Sequence, residues 1–209
     1  GKTEVYLQAI EATLAAGRTA CVLVPEISLT AQTVGRFRSR FGETVAVFHS
    51  RLSAGDRLDQ WDMVASGAAR VVVGARSALF LPLRHLQLIV VDEEHDTGYK
   101  QTDAQPRYNA RDVAVVMARL REARTVLGSA TPSLESYANA LSGKYGLATL
   151  DERYGDARPP LVLVSDTLRA VKRNERKTHF NRLLLDKLAD VLARGEQAML
   201  FQNRRGFAP

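Results

Sequence analysis

The chain has 209 residues, of which 45% are hydrophobic and 25% are charged, and its formal net charge is +6. These values indicate a globular protein of one large domain, or one domain and part of another, with a mild preference for a polyanionic partner. Its single cysteine, Cys21, excludes an internal disulfide, and no apolar run is long enough to span a membrane. We therefore expect a soluble protein of a reducing, cytoplasmic compartment.

Apolar runs rich in Val, Ile and Leu alternate with helical patterns along the chain. The runs predict strands buried on both faces, and they read TACVLVP, VAVFHS, ARVVVGA, LQLIVVDEE, TVLGSAT, LVLVSD and AMLFQN. The helical patterns that precede, separate or follow them often end in Gly, the usual helix stop. This alternation predicts an α/β fold, with a parallel sheet that carries helices on both faces.

A domain boundary is predicted where turn formers interrupt the alternation. The stretch DERYGDARPP, residues 151–160, is therefore interpreted as a linker between a first domain, 1–150, and a second, 161–209. The second segment supplies only two strands and one helix, too few for a complete sheet. For its basic cluster RAVKRNERK, a solvated loop is favoured over a dedicated contact site.

The first three residues resemble the last three of a phosphate-binding loop. In that loop Lys2 would reach the β- and γ-phosphates of a nucleotide, and the Thr3 hydroxyl would bind Mg²⁺. Backbone amides at the start of the next helix, from Gly1 onward, would hold phosphate oxygens. The motif also needs a glycine five positions before Gly1, which the sequence does not contain.

The fourth predicted strand delivers a cluster of acidic residues at its carboxyl end, where parallel α/β sheets place ligands. In LIVVDEEH, Asp92 would hold Mg²⁺ and Glu93 would orient the attacking water, the two roles that nucleotide hydrolysis requires. His95 completes this motif. An acidic turn after a buried strand is the alternative, and the upstream Lys2 and Thr3 favour the nucleotide site.

The fifth predicted strand ends in hydroxyl side chains, in VLGSATPS. Ser129 and Thr131 would link the nucleotide site to a moving part of the protein. Alternatively they cap the helix that Pro132 begins, and both roles are compatible.

Two further strand ends carry residues suited to a nucleic-acid backbone. VPEISLTAQT places Pro25, Glu26 and Thr30 at one strand end, and GARSALFLP places Arg76 and Ser77 at another. Such groups position a nucleic acid without reading its sequence. A surface arginine beside a capping serine explains the second pattern equally well.

The loop after the acidic motif interleaves aromatic and basic side chains within GYKQTDAQPRYNARD, residues 98–112. Its candidate contacts are Tyr99, Lys100, Gln101, Arg107, Tyr108 and Arg111. Aromatic faces beside cations can stack single-strand bases and hold phosphates, at about 1–3 kcal/mol per stacked base. The alternative is that both tyrosines pack the loop onto the domain and the arginines are solvated. Its position directly after the hydrolysis residues favours nucleic-acid contact.

Taken together, the motifs closely resemble those of the PriA family of replication-restart helicases, within superfamily 2. The matching strings run in order along the whole chain: GKTEVYLQ, VPEISLT, GARSALF, VDEEHDTGYKQ, PRYNARD, LGSATPSLESY and LFQNRRGFAP. The aromatic-rich loop directly after DEEH and the terminal NRRGFAP are the most specific of these. One departure is Asn109, where family members often carry His.

The resemblance implies a RecA-like P-loop NTPase motor domain, here without its first strand, followed by the start of a second RecA-like domain. It implies an ATP- and Mg²⁺-dependent DNA helicase that moves 3′ to 5′, restarts stalled replication forks and initiates primosome assembly. The implied partners are single-stranded and forked DNA, single-stranded DNA-binding protein, and primosome and helicase-loading proteins. The implied location is a bacterial cytoplasm, in association with the nucleoid.

The resemblance also assigns residues. Asp92 and Glu93 match the Mg²⁺-binding and water-activating pair, and His95 couples hydrolysis to DNA. Residues 99–112 match the loop that senses single-stranded DNA, and residues 128–131 match the motif that relays between ATP and DNA. The motif that opens the second motor domain corresponds to Asn203, Arg204 and Arg205.

The resemblance further implies parts that the 209 residues do not include. These are an upstream DNA-binding region, the strand before the phosphate loop, paired zinc-binding cysteines and a late arginine finger. We therefore expect no zinc site in this chain, and poor stability and negligible ATP hydrolysis from the 209 residues alone. A nucleic-acid-binding scaffold with a decayed nucleotide site is the alternative function, and the intact Lys2, Thr3, Asp92 and Glu93 argue against it.

Overall fold

The computed structural model describes residues 1–102, 105–152, 155, 160–166 and 180–201. The chain divides into two compact units, residues 1–156 and 157–209. The first unit contains the sheet and all candidate site residues except those at 203–205.

Five strands form one parallel sheet in the order β2-β3-β1-β4-β5. Their bounds are β1 Thr19–Leu23, β2 Val45–Phe48, β3 Val71–Gly74, β4 Leu86–Asp92 and β5 Arg124–Gly128. The predicted α/β fold with a parallel sheet is confirmed, and these strands correspond to the first five predicted runs. β1 to β4 consist almost entirely of buried residues, as expected for strands covered on both faces.

Helices cover both faces of this sheet. In the described parts of the first unit they are α1 Lys2–Ala15, α2 Ala31–Phe41, α3 Ala54–Ser66, α4 Ala110–Leu120 and α5 Leu134–Leu141. One core joins α1 and α2 to the face of β1 that carries Val22, through side chains such as Ile10 and Phe37. The other joins α3 and α4 to the opposite face, where Cys21 and Leu23 lie. The alternation of β1 side chains between the two cores follows from the two-residue period of a strand.

The carboxyl ends of the parallel strands meet at one edge of the sheet. The pairing of Val91 with Leu127 and of Asp92 with Gly128 brings the end of β4 beside the end of β5. Residues 124–127 of β5, at one edge of the sheet, are exposed or only partly buried, whereas β2 at the other edge is mostly buried. The motifs that follow β4 and β5 are therefore neighbours.

Within the described residues of the second unit, the predicted helix is present, and neither predicted strand has formed there. The helix is α6, Arg182–Ala193, with Asn181 as its N-cap. Residues 161–166, predicted as the strand LVLVSD, and the described part of AMLFQN, 198–201, have no strand structure. Their apolar side chains are mostly exposed, as for Leu161 and Met199. An apolar run becomes a buried parallel strand only beside partner strands, and neither described segment pairs with one.

Candidate functional site

The end of β4 places two adjacent acidic residues at the sheet edge. Asp92 is the last residue of the strand, and Glu93 begins the turn that follows it. Glu93 has a φ of 46°, in the left-handed region that non-glycine residues seldom adopt. Such strained backbone is concentrated at functional sites, where the surrounding structure holds it in place.

Lys2 lies against this turn. α1 begins directly after Gly1, so Lys2 and Thr3 occupy its first turn. The Lys2 Nζ donates a hydrogen bond to Glu93 Oε1 over 2.7 Å, and both side chains are about one-third exposed. The fold thus joins the predicted phosphate-loop residues to the predicted hydrolysis residues, 91 positions apart in sequence.

Tyr6 fixes the orientation of Asp92, a role that the sequence analysis did not assign. Its buried hydroxyl donates to Asp92 Oδ1 over 2.9 Å. Burial, followed by the charge of Asp92, raises the pKa of Tyr6 far above its usual range, so it acts as a donor at neutral pH. Its position four residues after Lys2, on the same helix face, was the available signal.

The end of β5 must be a glycine because of Tyr6. A Cβ atom at Gly128 would lie 1.6 Å from the Tyr6 hydroxyl oxygen and 2.7 Å from its ring carbon Cζ. The two residues belong to motifs that sequence alone does not connect. Gly128 therefore makes room for the group that holds Asp92.

Thr3 and Asp92 line one small cavity of about 70 Å³, together with Tyr6 and residues of β1 and α2. A hydroxyl and a carboxylate are oxygen ligands of the kind that Mg²⁺ prefers, and Mg²⁺ commonly takes its remaining ligands from phosphate and water. No cluster of three or more His, Cys, Asp or Glu side chains suited to a metal occurs in the described residues. The donors present thus fit a Mg²⁺ bound with nucleotide rather than a metal held by protein alone.

His95 connects the acidic turn to the segment after β5. Its Nδ1 lies 2.7 Å from Ser129 Oγ and 3.7 Å from Glu93 Oε2, and its Nε2 lies 3.5 Å from Thr131 Oγ1. The Ser129 hydroxyl also accepts from the Thr131 amide over 2.9 Å. The structure therefore brings Ser129 and Thr131 to His95.

The capping role considered for Ser129 and Thr131 is wrong. The N-cap of α5 is Ser133, whose hydroxyl accepts from the Ser136 amide. Pro132 precedes this cap and lies outside the helix, which begins at Leu134. The helix starts two residues later than the Ser/Thr-Pro pattern predicts, because Ser133 has a partner that anchors it.

That partner is Glu94, which sequence analysis quoted but gave no role. Its carboxylate is buried and accepts four hydrogen bonds: from the Ser133 amide (2.6 Å) and hydroxyl (3.0 Å), the Ser136 hydroxyl (2.8 Å) and Arg111 Nη1 (3.2 Å). Burial alone would raise the pKa of Glu94, but these hydrogen bonds, led by the Ser133 amide, hold it below its ordinary value. Glu94 is therefore an ionised structural anchor.

Arg111 is committed to the same anchor. Besides Glu94, its Nη1 donates to the Ser133 hydroxyl over 2.8 Å, and its Nε donates to Asp112 over 2.8 Å. Only 14% of the side chain is exposed. In this arrangement Arg111 ties the start of α4 to the start of α5, in contrast to the solvated or DNA-contacting side chain that the sequence analysis predicted.

Tyr99 is buried, which contradicts its predicted role in stacking bases. Tyr99 is only 1% exposed, and its single hydroxyl proton lies between two acceptors, the Asp92 carbonyl at 2.6 Å and the Leu23 carbonyl at 3.0 Å. The ring packs in the core beside α4, where no base can reach it. The alternative, a tyrosine that packs the loop onto the domain, describes Tyr99 correctly.

Tyr108, by contrast, is only partly buried: it packs against the edge of the same core and forms half of an aromatic pair. Its ring meets Phe80 edge to face, with centroids 5.3 Å apart, and Phe80 is 49% exposed. The two described ends of the loop, 100–102 and 105–109, pair with each other and are called the hairpin below: Gln101 N donates to the Tyr108 carbonyl, and Lys100 bridges to Asn109. Arg76 Nη1 donates to the Lys100 carbonyl over 2.9 Å, which places Arg76 beside the hairpin. Lys100 and Arg107 are exposed.

The remaining predicted residues have simpler surroundings. Pro25 is buried, Glu26 accepts a hydrogen bond from the Ser50 hydroxyl, and Ser77 is exposed in the turn after β3. Thr30 caps α2 by accepting from Thr33 N over 3.2 Å. Asn109 caps α4, so the departure at this position supplies a favourable helix start. Asn203, Arg204 and Arg205 lie outside the described residues.

Comparison with known proteins identifies close relatives. A family model described as DEAD/DEAH box helicase matches residues 1–140. The chain is 50% identical to replication restart protein PriA of Bacillus subtilis, over 100% of this chain and 26% of that protein. It is 48% identical to PriA of Chlamydia pneumoniae, over 99% of this chain and 28% of that protein. It is 46% identical to PriA of Haemophilus influenzae, over 100% of this chain and 28% of that protein.

The chain thus spans about a quarter of the length of the curated relatives it matches. Among solved structures, the C-terminal domain of S. cerevisiae Dbp5 is similar at a TM-score of 0.42 and 13% identity. That match covers 68% of this chain and 80% of the other, and it supports no functional argument. No helix in the described parts of the chain has the length and hydropathy that a membrane span requires.

Proposed function

Because the chain belongs to the DEAD/DEAH box helicase family, we propose that it is the nucleotide-binding motor part of a DNA helicase that restarts replication. The observation that carries this proposal is the cluster of Lys2, Asp92 and Glu93. These side chains come from the first turn of α1 and the end of β4, and they meet at the carboxyl edge of the sheet. This edge is where open α/β sheets bind their ligands.

The residues present fit ATP with Mg²⁺. Lys2 and the amides of the first turn of α1 would hold phosphate oxygens, and Thr3 with Asp92 would hold Mg²⁺. When bound, the metal ion neutralises charge on the phosphates. Tyr6 keeps Asp92 in one orientation, and the Glu93 carboxylate orients the attacking water and accepts its proton. The Lys2–Glu93 contact is only partly buried, so both groups are accessible to a nucleotide and to water.

DNA would act on this site through the segments that adjoin it. His95 contacts Ser129 and Thr131, so a movement of either segment changes the surroundings of Glu93. Pro25 is buried and therefore unsuited to contact DNA, and the proposed DNA contacts are Glu26, Thr30, Arg76, Ser77, Lys100, Gln101, Arg107 and Tyr108. Within this set the exposed cations and the Tyr108 ring suit phosphates and bases respectively.

The relatives support a wider proposal for the activity of the whole protein. We propose translocation from 3′ to 5′ on single-stranded DNA, action at stalled forks, and work with primosome, helicase-loading and single-stranded DNA-binding proteins. The first motor domain would correspond to residues 1–150 and the second would begin after the linker at 151–160. Asn203, Arg204 and Arg205 would open the nucleotide-facing motif of the second domain.

The test is ATP hydrolysis by the full-length protein, with and without single-stranded DNA. We expect DNA to stimulate turnover, and Lys2→Ala and Glu93→Gln each to lower it by about 10²-fold or more, since Lys2 would stabilise charge on the phosphates and Glu93 would accept the proton of the attacking water. Glu43→Gln is the matched control, since Glu43 is an exposed glutamate in the turn before β2, and its turnover should equal that of the wild type. A wild-type protein that binds DNA but hydrolyses nothing would instead establish the scaffold function.

A further inference from the structure

Glu94 is the only buried carboxylate among the described residues, and its hydrogen bonds join three elements. Its backbone belongs to the turn after β4, one residue beyond Glu93. Its side chain holds Ser133 and Ser136 at the start of α5 and Arg111 at the start of α4. Its amide donates to the Gly128 carbonyl at the end of β5, over 3.1 Å. Both flanks of the Ser129–Thr131 segment are thus fixed to one residue.

The hairpin at 100–109 is tied to the same strand end on both sides. Before the hairpin, the Tyr99 hydroxyl donates to the Asp92 carbonyl over 2.6 Å. After it, Arg111 donates to Glu94, two residues beyond the α4 cap at Asn109. The two anchors lie on residues 92 and 94, on either side of Glu93. A displacement of the hairpin therefore acts on both neighbours of the residue that orients water.

We propose that Glu94 is a positioning residue that couples the hairpin at 100–109 to the hydrolysis residues, so that DNA held by the hairpin accelerates ATP hydrolysis. This inference rests on the proposed function, and it assigns to a buried carboxylate a role that the site residues do not cover. Asp112, the second carboxylate on Arg111, cannot replace Glu94. It is exposed and belongs to α4 itself, so it does not connect α4 to β4.

Glu94→Gln is the informative substitution. Both carboxylate oxygens accept hydrogen bonds: Oε1 from the Ser133 amide, and Oε2 from two hydroxyls and Arg111. An amide of the same shape offers one acceptor oxygen and places N–H donors at the other position. In either orientation of the glutamine side chain, its NH₂ group therefore faces a donor of the protein. Asp112→Asn is the matched control, because it also removes a charge from Arg111 but leaves the β4 anchor intact.

The experiment measures ATP turnover of the full-length protein over a series of oligo(dT) concentrations. For Glu94→Gln, we expect the ratio of maximal DNA-stimulated to basal turnover to fall about tenfold, while the DNA concentration for half-maximal stimulation changes less than about threefold. Asp112→Asn should keep the ratio within about twofold of the wild type. A role limited to folding would instead lower basal and stimulated turnover by the same factor.

Ser136→Ala is the milder second variant, for use if Glu94→Gln fails to fold. It removes one of the four donors to Glu94 and retains Arg111. The ratio should then fall about threefold. A stimulation ratio unchanged in Ser136→Ala and Glu94→Gln, or an equal loss of basal and stimulated turnover, would overturn this inference and leave the proposed function intact. A wild type that DNA does not stimulate would refute the proposed function, and this inference with it.

Discussion

Glu93 and Glu94 are adjacent, chemically identical residues with opposite surroundings. Glu93 is one-third exposed, has a left-handed backbone and contacts Lys2 and His95. Glu94 is buried, and four donors from α4 and α5 occupy both of its oxygens. One carboxylate is thus open to ligand and water while its neighbour is committed to structure. The comparison shows that one turn can supply a chemical group and the support that keeps this group in position.

The largest effect expected from this comparison is on stability. Glu94→Ala removes the buried carboxylate that accepts from the Ser133 amide, two hydroxyls and the Arg111 guanidinium, so the free energy of unfolding of the first unit should fall by about 3 kcal/mol. Glu93→Ala removes only a contact that is about one-third exposed, and it should change the free energy of unfolding by less than about 1 kcal/mol. Urea denaturation of the matched pair measures both. Equal losses would show that Glu94 is no more an anchor than Glu93.

The next effect concerns Gly128, which connects the support of Asp92 to the end of β5. Gly128→Ala places a methyl group against the Tyr6 hydroxyl, and overpacking of this kind costs about 1–3 kcal/mol. Adding Tyr6→Phe removes the closer of the two clashing atoms and should recover part of the loss. Gly55→Ala is the control, since the nearest atom to its added methyl, Ser53 Oγ, is 3.9 Å away. A Gly128→Ala protein as stable as the Gly55→Ala protein would refute this close approach.

A smaller effect separates the two tyrosines of the aromatic loop. Tyr99→Phe removes a buried donor to two carbonyls and should lower the free energy of unfolding by about 1–2 kcal/mol. Tyr108→Ala should weaken binding of single-stranded DNA by about 1–3 kcal/mol, since its ring is partly exposed beside Phe80. Denaturation and fluorescence anisotropy with labelled DNA test the two variants in parallel. Weaker DNA binding by Tyr99→Phe, with unchanged stability, would reverse the assignment.

The last prediction concerns Cys21, whose thiol should not react with an alkylating reagent in the folded protein. Burial raises the pKa of its thiol to about 12, and the side chain is 1% exposed in the core that also contains Tyr99. The buried neutral thiol makes its full contribution to the free energy of unfolding below the unfolded-state pKa of about 8.5. This contribution declines as the pH rises toward the folded-state pKa. Iodoacetamide at pH 7.5 should therefore label Cys21 only after denaturation. Labelling of the native Glu94→Ala protein, but not of the Glu93→Ala protein, would show that Glu94 and not Glu93 keeps this core closed to the reagent.

Much of the architecture could be predicted from sequence because its signals are local. Apolar runs and Gly-terminated helical patterns located the five strands and the helices between them. The meeting of Lys2 with Glu93 also followed, because carboxyl ends of parallel strands share one edge. The apolar segments at 161–166 and 198–201 show the limit of this rule, since a strand also needs neighbours.

The division of roles within each motif could not be predicted. Glu93 and Glu94 carry the same side chain, and only the three-dimensional position of Ser133 and Arg111 buries the second. Tyr99 and Tyr108 occupy one loop of uniform composition, yet one ring lies in the core. Tyr6 is a helix residue of ordinary appearance, and its contact with Asp92 depends on the space left by Gly128. Each of these facts depends on contacts between segments distant in sequence.

The strand order has a consequence for synthesis on the ribosome. The central residues of β1 are all apolar. This strand pairs with β3 and β4, but not with β2, which is the next strand to be synthesised. Its second edge stays without a partner until residue 92 has been translated, roughly 3–14 s after residue 23 at about 5–20 residues per second. During that interval the nascent chain presents an unpaired hydrophobic strand, and it is then that a chaperone would be of most use.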